Sequence, residues 1–94
     1  MQFINETRFK INESIISSSI GDKLILLNIN TGKYIEISDS GEYIWHLLEN
    51  SETSQYNKIL SNISSNYNGD IKDIVKDVDN FLIQAMQLGL IDEK

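Results

Sequence analysis

The stretch from Leu24 to Leu48, LILLNINTGKYIEISDSGEYIWHLL, limits most narrowly what this chain can fold into. Two apolar runs flank Asn30-Thr31-Gly32, a turn sequence in which the glycine supplies a positive φ. A helical pattern then starts almost without a linker. A hairpin that feeds directly into a helix leaves one sheet edge open beside that helix layer, and an extended peptide can add to such an edge as a further strand.

The strands differ in pattern. Lys23 to Ile29 is apolar at Leu24, Ile25, Leu26, Leu27 and Ile29, so both of its faces are expected to be covered. Lys33 to Ile37 alternates: Lys33, Ile35 and Ile37 share one face, Tyr34 and Glu36 the other. Upstream, Ile15 to Ile20 is expected as a first strand, with Gly21-Asp22 as a two-residue turn. Residues 1–14 are polar and weakly patterned. They are expected to form a flexible N-terminal arm, with a short strand around Phe9–Ile11, ahead of a folded domain over 15–91.

Three helices should follow. Ser38 or Asp39 can cap the first by accepting bonds from its free N–H groups. With Ser38 as the cap, Gly41 stands where a capping box would place Glu. Helical spacing continues through Tyr43, Ile44, Leu47 and Leu48. The second helix is expected from about Thr53 to Asn66, with Tyr56, Ile59, Leu60, Ile63 and Tyr67 as its stripe and Asn68-Gly69 as a left-handed terminator. Asp70 then caps a third helix, Ile71 to about Leu88, which Gly89 stops, and Leu90 and Ile91 fold back onto the core. On this helix Val78 centres the apolar face, with Ile71, Ile74, Val75, Phe81, Leu82 and Ala85 around it. Leu88 marks one margin and Met86 the other. Ile83 lies beyond Met86 and reads as exposed or as the lip of a groove. The fold class is α+β, a three-stranded antiparallel sheet followed by three helices, in a winged helix-turn-helix-like arrangement.

Composition removes several classes of function. A 94-residue chain without cysteine forms one domain and has neither a disulfide framework nor a cysteine-ligated metal. A net charge of −6 and a pI near 4.5 repel the phosphate backbone. The third helix offers Lys72 and Lys76 against Asp73, Asp77 and Asp79, and the single arginine is Arg8, so a DNA-recognition helix is disfavoured. No apolar run is long enough to span a membrane, and the N-terminus lacks the pattern of a signal peptide. A cytoplasmic location is expected. His46 is the only histidine. No nucleophile elbow frames a serine, and no glycine-rich phosphate loop is present. Asp73 and Asp77 are one helical turn apart, yet interleaved lysines make them a solvated flank. No catalytic residue, metal site or cofactor is expected.

Three motifs occur in order: Thr31-Gly32-Lys33-Tyr34 in the hairpin, Asp39 to Trp45 (DSGEYIW) at the helix start, and a C-terminal D-V-x-x-F-L-x-x-A-x-x-x-G-L-I carried by Asp77, Val78, Phe81, Leu82, Ala85, Gly89, Leu90 and Ile91. From about Ile15 to Ile91 the chain resembles the PqqD family. It departs from the usual pattern in a longer N-terminal arm and in Ser38, where Asn is common. The resemblance implies a precursor-peptide recognition element. Such a protein binds the leader of a ribosomally made peptide, as an added strand, and delivers it to processing enzymes. Its stand-alone size is most similar to the discrete recognition proteins of lasso-peptide clusters. Those imply a leader-cleaving cysteine protease and an ATP-dependent cyclase as partners. A peptide chaperone for a radical enzyme is the alternative, and a winged-helix DNA-binding regulator a more distant one. Carried onto this sequence, the ladder is offered by Lys33, Tyr34, Ile35, Glu36 and Ile37. From the third helix, Val75, Val78, Asp79, Leu82, Ile83 and Met86 are the expected contacts, Asp79 pairing with a basic residue of the leader.

Overall fold

The computed structural model describes residues 3–37 and 40–94. Along the chain run β1 (Phe9–Ile11), β2 (Ile15–Ile20), β3 (Lys23–Asn28), β4 (Tyr34–Ile37), α1 (Ser40–Glu49), α2 (Tyr56–Asn66), α3 (Ile71–Gln87) and β5 (Ile91–Glu93). Strands β2, β3 and β4 form an antiparallel sheet in that order, and β1 pairs with β5 in a second, two-stranded sheet. The mixed α+β class, with its three-stranded sheet followed by three helices, is as expected. The expected caps Ser38 and Asp39 lie outside the described residues.

Both hairpin turns use glycine where the backbone demands it. Gly21 (φ 63°) closes β2 onto β3, bringing Ile20 opposite Lys23. Gly32 (φ 73°) closes β3 onto β4, its N–H donating to the Asn28 carbonyl while the Asn28 N–H donates to that of Lys33. Ile29, Asn30, Thr31 and Gly32 thus make a four-residue loop that ends in a left-handed glycine. The Asn28 side-chain oxygen accepts from the N–H groups of Asn30 and Thr31, satisfying the loop backbone.

Register sorts the sheet into two different faces. Leu24 and Leu26 of β3 sit opposite Ile37 and Ile35 of β4, and this face packs on the helices. Leu27 sits between Ile16 and Tyr34 on the other face, where all three are exposed. The expectation that both faces of this strand are covered therefore fails. The apolar run of β3 serves one core, and its other face is open.

Residues 3–14, expected as a flexible arm, pack against the body of the protein. Phe3 and Phe9 are buried and meet edge to face, with ring centroids 5.2 Å apart. The Thr7 and Asn5 carbonyls accept from the N–H groups of Tyr56 and Asn57, so the N-terminal segment caps α2 with main-chain oxygens. Ile11 pairs with Ile91 and Phe9 with Glu93. The short strand around Phe9–Ile11 is present, and its partner is the chain's last strand. This docking also explains why α2 begins at Tyr56 rather than Thr53. Thr53 is held in the preceding turn, its hydroxyl donating to the Leu47 carbonyl at 2.6 Å.

The helix ends divide. Asp70 caps α3 as expected, its carboxylate accepting from the Lys72 N–H at 2.9 Å. At the other end Gly89 (φ 74°) and Leu90 donate to the Met86 and Ala85 carbonyls, the paired bonds of a Schellman cap. Helix α2 instead ends on Tyr67 in an extended conformation, and the glycines with positive φ among the described residues are Gly21, Gly32 and Gly89. Gly69 does not take the left-handed conformation offered for the ending at Asn68-Gly69. The core gathers Leu24 and Leu26, Ile44, Trp45 and Leu48 of α1, Ile59 and Ile63 of α2, Val78 and Leu82 of α3, and Ile91. Ile71, expected in the α3 stripe, is exposed one residue past the cap.

Candidate peptide-binding groove

Strand β4 is an outer strand of its sheet. Ladder bonds in an antiparallel pair alternate along each strand. The Asn28 to Lys33 bond fixes the phase: Ile35 and Ile37 direct their N–H and C=O groups to β3, so Tyr34 and Glu36 direct theirs outward. The open edge therefore offers the main chains of two residues, Tyr34 and Glu36. Lys33 lies in the turn just before β4. The edge carries its own charge control, because Lys23 and Glu36 form an ion pair at 2.7 Å. Hydrogen bonding to Glu36, and then its charge, hold the Lys23 ammonium above the usual lysine value. Paired charges of this kind blunt an edge against indiscriminate strand pairing.

Beside that edge runs a groove of about 380 Å³ between β4 and α3, lined by Ile35, Glu36 and Ile37, by Gly41 of α1, and by Asp77, Asn80, Phe81, Gln84 and Leu88 along α3. Gly41 fits because it has no side chain. A Cβ there would lie 2.9 Å from Ile37 Cγ2 and 3.1 Å from the Phe81 ring. Past Ile35 and Leu88 the groove opens toward Lys33, Tyr34 and Gln87. Past Asp77 it meets a second hollow lined by Tyr67, Asp73, Ile74 and Val78. One end is basic, the other acidic.

The alternation expected of this strand is present, with Ile35 and Ile37 toward the groove and the Tyr34 and Glu36 side chains on the opposite face. The expected α3 residues lie elsewhere. Val78 and Leu82 are buried in the core, and Ile83 and Met86 pack against it. Val75 is half-buried. Asp79 accepts a 2.6 Å hydrogen bond from the Tyr56 hydroxyl of α2. None of the six lines the groove beside β4, although Val78 reaches the neighbouring hollow. The cause is helical phase. At about 100° per residue, Asp77, Phe81, Gln84 and Leu88 fall on one side of Val78, while Val75, Asp79, Ile83 and Met86 fall on the other. The second side packs toward α2, the first faces β4. The sequence signal for the correct side was Phe81 and Leu88, two large apolar residues at a margin otherwise made of Asp, Asn and Gln.

Asp79 thus has a structural partner. Burial first, and the hydrogen bond to Asp79 second, push the Tyr56 phenol well above its usual value. The stability this contributes is complete below the ordinary tyrosine pKa near ~10 and is lost as pH climbs above it. Asp79→Ala should lower unfolding stability by about 1–3 kcal/mol by orphaning a buried hydroxyl and leave peptide affinity unchanged. Urea unfolding beside a peptide titration checks both.

His46 is exposed on α1, with Nδ1 2.8 Å from Glu49 and Nε2 3.7 Å from Glu42. Among the described residues, no group of three or more His, Cys, Asp or Glu side chains is placed to hold a metal ion. No helix among them is long and apolar enough to cross a membrane.

No curated protein sequence matches the chain. Two solved structures resemble it. One is TbiB1 in complex with the TbiA(beta) leader peptide, at 30% identity and a TM-score of 0.79 over 88% of this chain and 94% of that one. The other is a lasso peptide synthetase B1 complexed with the leader peptide. It has 17% identity and a TM-score of 0.76 over 90% of this chain and 98% of that one, a likeness of fold. Residues 23–91 match the family described as coenzyme PQQ synthesis protein D, PqqD. That span holds the hairpin, all three helices and the groove between β4 and α3, and the chain belongs to the PqqD family.

Proposed function

We propose that this protein binds the leader segment of a ribosomally synthesised precursor peptide and presents it to processing enzymes in lasso-peptide-type biosynthesis. The observation that carries the reading is the open β4 edge running alongside the α3 groove. The bound leader peptide in the 30%-identical relative supports it. The leader pairs as a strand with the outward main-chain groups of Tyr34 and Glu36, within the segment Lys33 to Ile37. Its alternate side chains enter the groove over Ile35, Ile37, Gly41 and Phe81. Main-chain pairing gives affinity with little demand on sequence, and the pockets give selectivity. The polar ends favour a basic leader residue near Asp73 and Asp77, a contribution of up to about 1 kcal/mol that salt weakens. The protein acts as a non-catalytic adaptor. A leader-cleaving cysteine protease and an ATP-dependent cyclase are its partners, and the cytoplasm is its setting.

Isothermal titration with the leader of a precursor encoded beside this protein tests the reading. One-to-one binding is the expected result. Absence of heat from the folded protein with that peptide would remove it. Trp45 is buried away from the groove, so its fluorescence serves as an independent monitor of folding.

A further inference from the structure

The two ends of the β4–α3 groove carry opposite charges that the protein does not itself neutralise. Asp77 lines both the groove and the hollow beyond it. Lys33 lines the opening at the other end, beside Gln87 and Leu88 of α3. Both side chains are exposed. Among the described residues neither forms an ion pair, whereas Lys10 and Lys23 are paired with Glu13 and Glu36. Lys72 and Lys76 border neither hollow. Helix capping explains Asp70 and the field of the helix terminus suits Asp73, but that field fades within the first turn and does not reach Asp77.

The elements that carry the two charges fix their separation. Lys33 immediately precedes β4 and Ile37 ends it. That step covers about 13 Å at 3.3 Å per residue. Ile37 and Phe81 are level with one another, since both close over Gly41. Because Leu88 stands at the Lys33 end, α3 runs opposite to β4, and Asp77 lies one helical turn beyond Phe81. That turn adds about 6 Å, the length of about two strand residues. An extended peptide therefore passes from Lys33 to Asp77 in about six residues. Side chains on one face of a strand recur every second residue, so both positions face the groove. Strands β2, β3 and β4 are antiparallel throughout. A strand that continues this order, which is slightly more stable than parallel pairing, enters past Asp77 and leaves past Lys33.

We infer that Asp77 and Lys33 read the charge order of the bound leader, selecting a segment with Lys or Arg about six residues ahead of Asp or Glu. The inference rests on the leader-binding reading above and names side chains that reading leaves open. A leader laid in the opposite direction would meet a like charge at each end, so the same two residues act against the wrong orientation. Both ends are open to water, and each pair therefore contributes selectivity more than affinity.

The test titrates the full chain calorimetrically with the leader of the precursor encoded beside it, and with a copy of that leader whose basic and acidic residues are exchanged. Wild-type protein should bind the exchanged copy at least about fivefold more weakly at low salt, and the difference should shrink at high salt. The combined variant Asp77→Lys, Lys33→Glu should reverse the preference. Both substitutions fall on exposed side chains, and circular dichroism keeps loss of fold apart from loss of binding. Moving the leader's acidic residue by one position turns it to the other face and should cost as much as neutralising it. Equal wild-type affinity for the two peptides would overturn the inference and leave the leader reading standing, as would a natural leader that binds without charges at this separation. Absence of binding to either peptide by the folded protein would remove the leader reading and this inference with it.

Discussion

Phe9→Ala should lower the unfolding free energy by about 3–5 kcal/mol, the usual cost of truncating a buried phenylalanine. Phe9 is 2% exposed, stacks edge to face on Phe3, and lies on a strand whose partner, β5, carries the buried Ile91. Phe3 in turn meets the Tyr56 ring at 5.4 Å, so the loss loosens the seat of α2 as well. In a domain of this size each kcal/mol moves the melting temperature by about 4–8 °C, so the variant should be partly unfolded at moderate temperature. Urea unfolding followed through Trp45 measures the effect directly. A change below about 0.5 kcal/mol would mean that residues 3–14 behave in solution as the loose arm their polarity suggests.

Glu36→Pro should reduce leader affinity at least tenfold, about 1.4 kcal/mol, with the fold retained. The N–H at this position points away from β3, so proline removes a donor that only an added strand would use. Proline is tolerated on an edge strand for that reason. Ile35→Pro is not an equivalent experiment. The Ile35 N–H faces Leu26, and its loss breaks the sheet itself. Glu36→Gln separates the two roles of this residue: it drops the charge paired with Lys23 but keeps the N–H, and should bind leader almost as well as wild type. Titration of the three proteins, each checked by circular dichroism, gives the answer. Equal affinity for the proline variant would detach the leader from this edge.

Local signals were legible in the sequence where one residue type has one physical reason to be present. Gly32 takes the positive φ expected of it, Gly21 turns the first hairpin and Gly89 stops α3 as expected, and Asp70 caps α3. The alternation of Tyr34 to Ile37 assigns every side chain to its observed face. What could not be read was long-range. Nothing local to Thr7 or Phe9 announces that they seat α2 and β5, because their partners lie far along the chain. The same limit hid the groove margin of α3. Periodicity gives the width of an apolar stripe, yet which margin meets β4 and which meets Tyr56 depends on how the helix is rolled against the sheet. Polar residues such as Asp77, Asn80 and Gln84 carry no sign that they border a peptide rather than water. The open face of β3 was missed for a related reason, since the four apolar residues Leu24 to Leu27 in a row look alike whether their second face meets a core or a partner.

The pairing of β1 with β5 has a consequence for the order of events during folding. Phe9 finds Glu93, and Lys94 donates to Arg8, only after everything between them has been made and arranged. Contacts that distant are slow to form because the intervening loop must first be closed. The hairpins and helices have near neighbours to work with, so the two-stranded clasp should close late. Substitutions in it should then speed unfolding far more than they slow folding. A nascent chain would hold Phe9 without its strand partner until β5 emerges, and the lifetime of the folded protein would be set by how often that clasp opens.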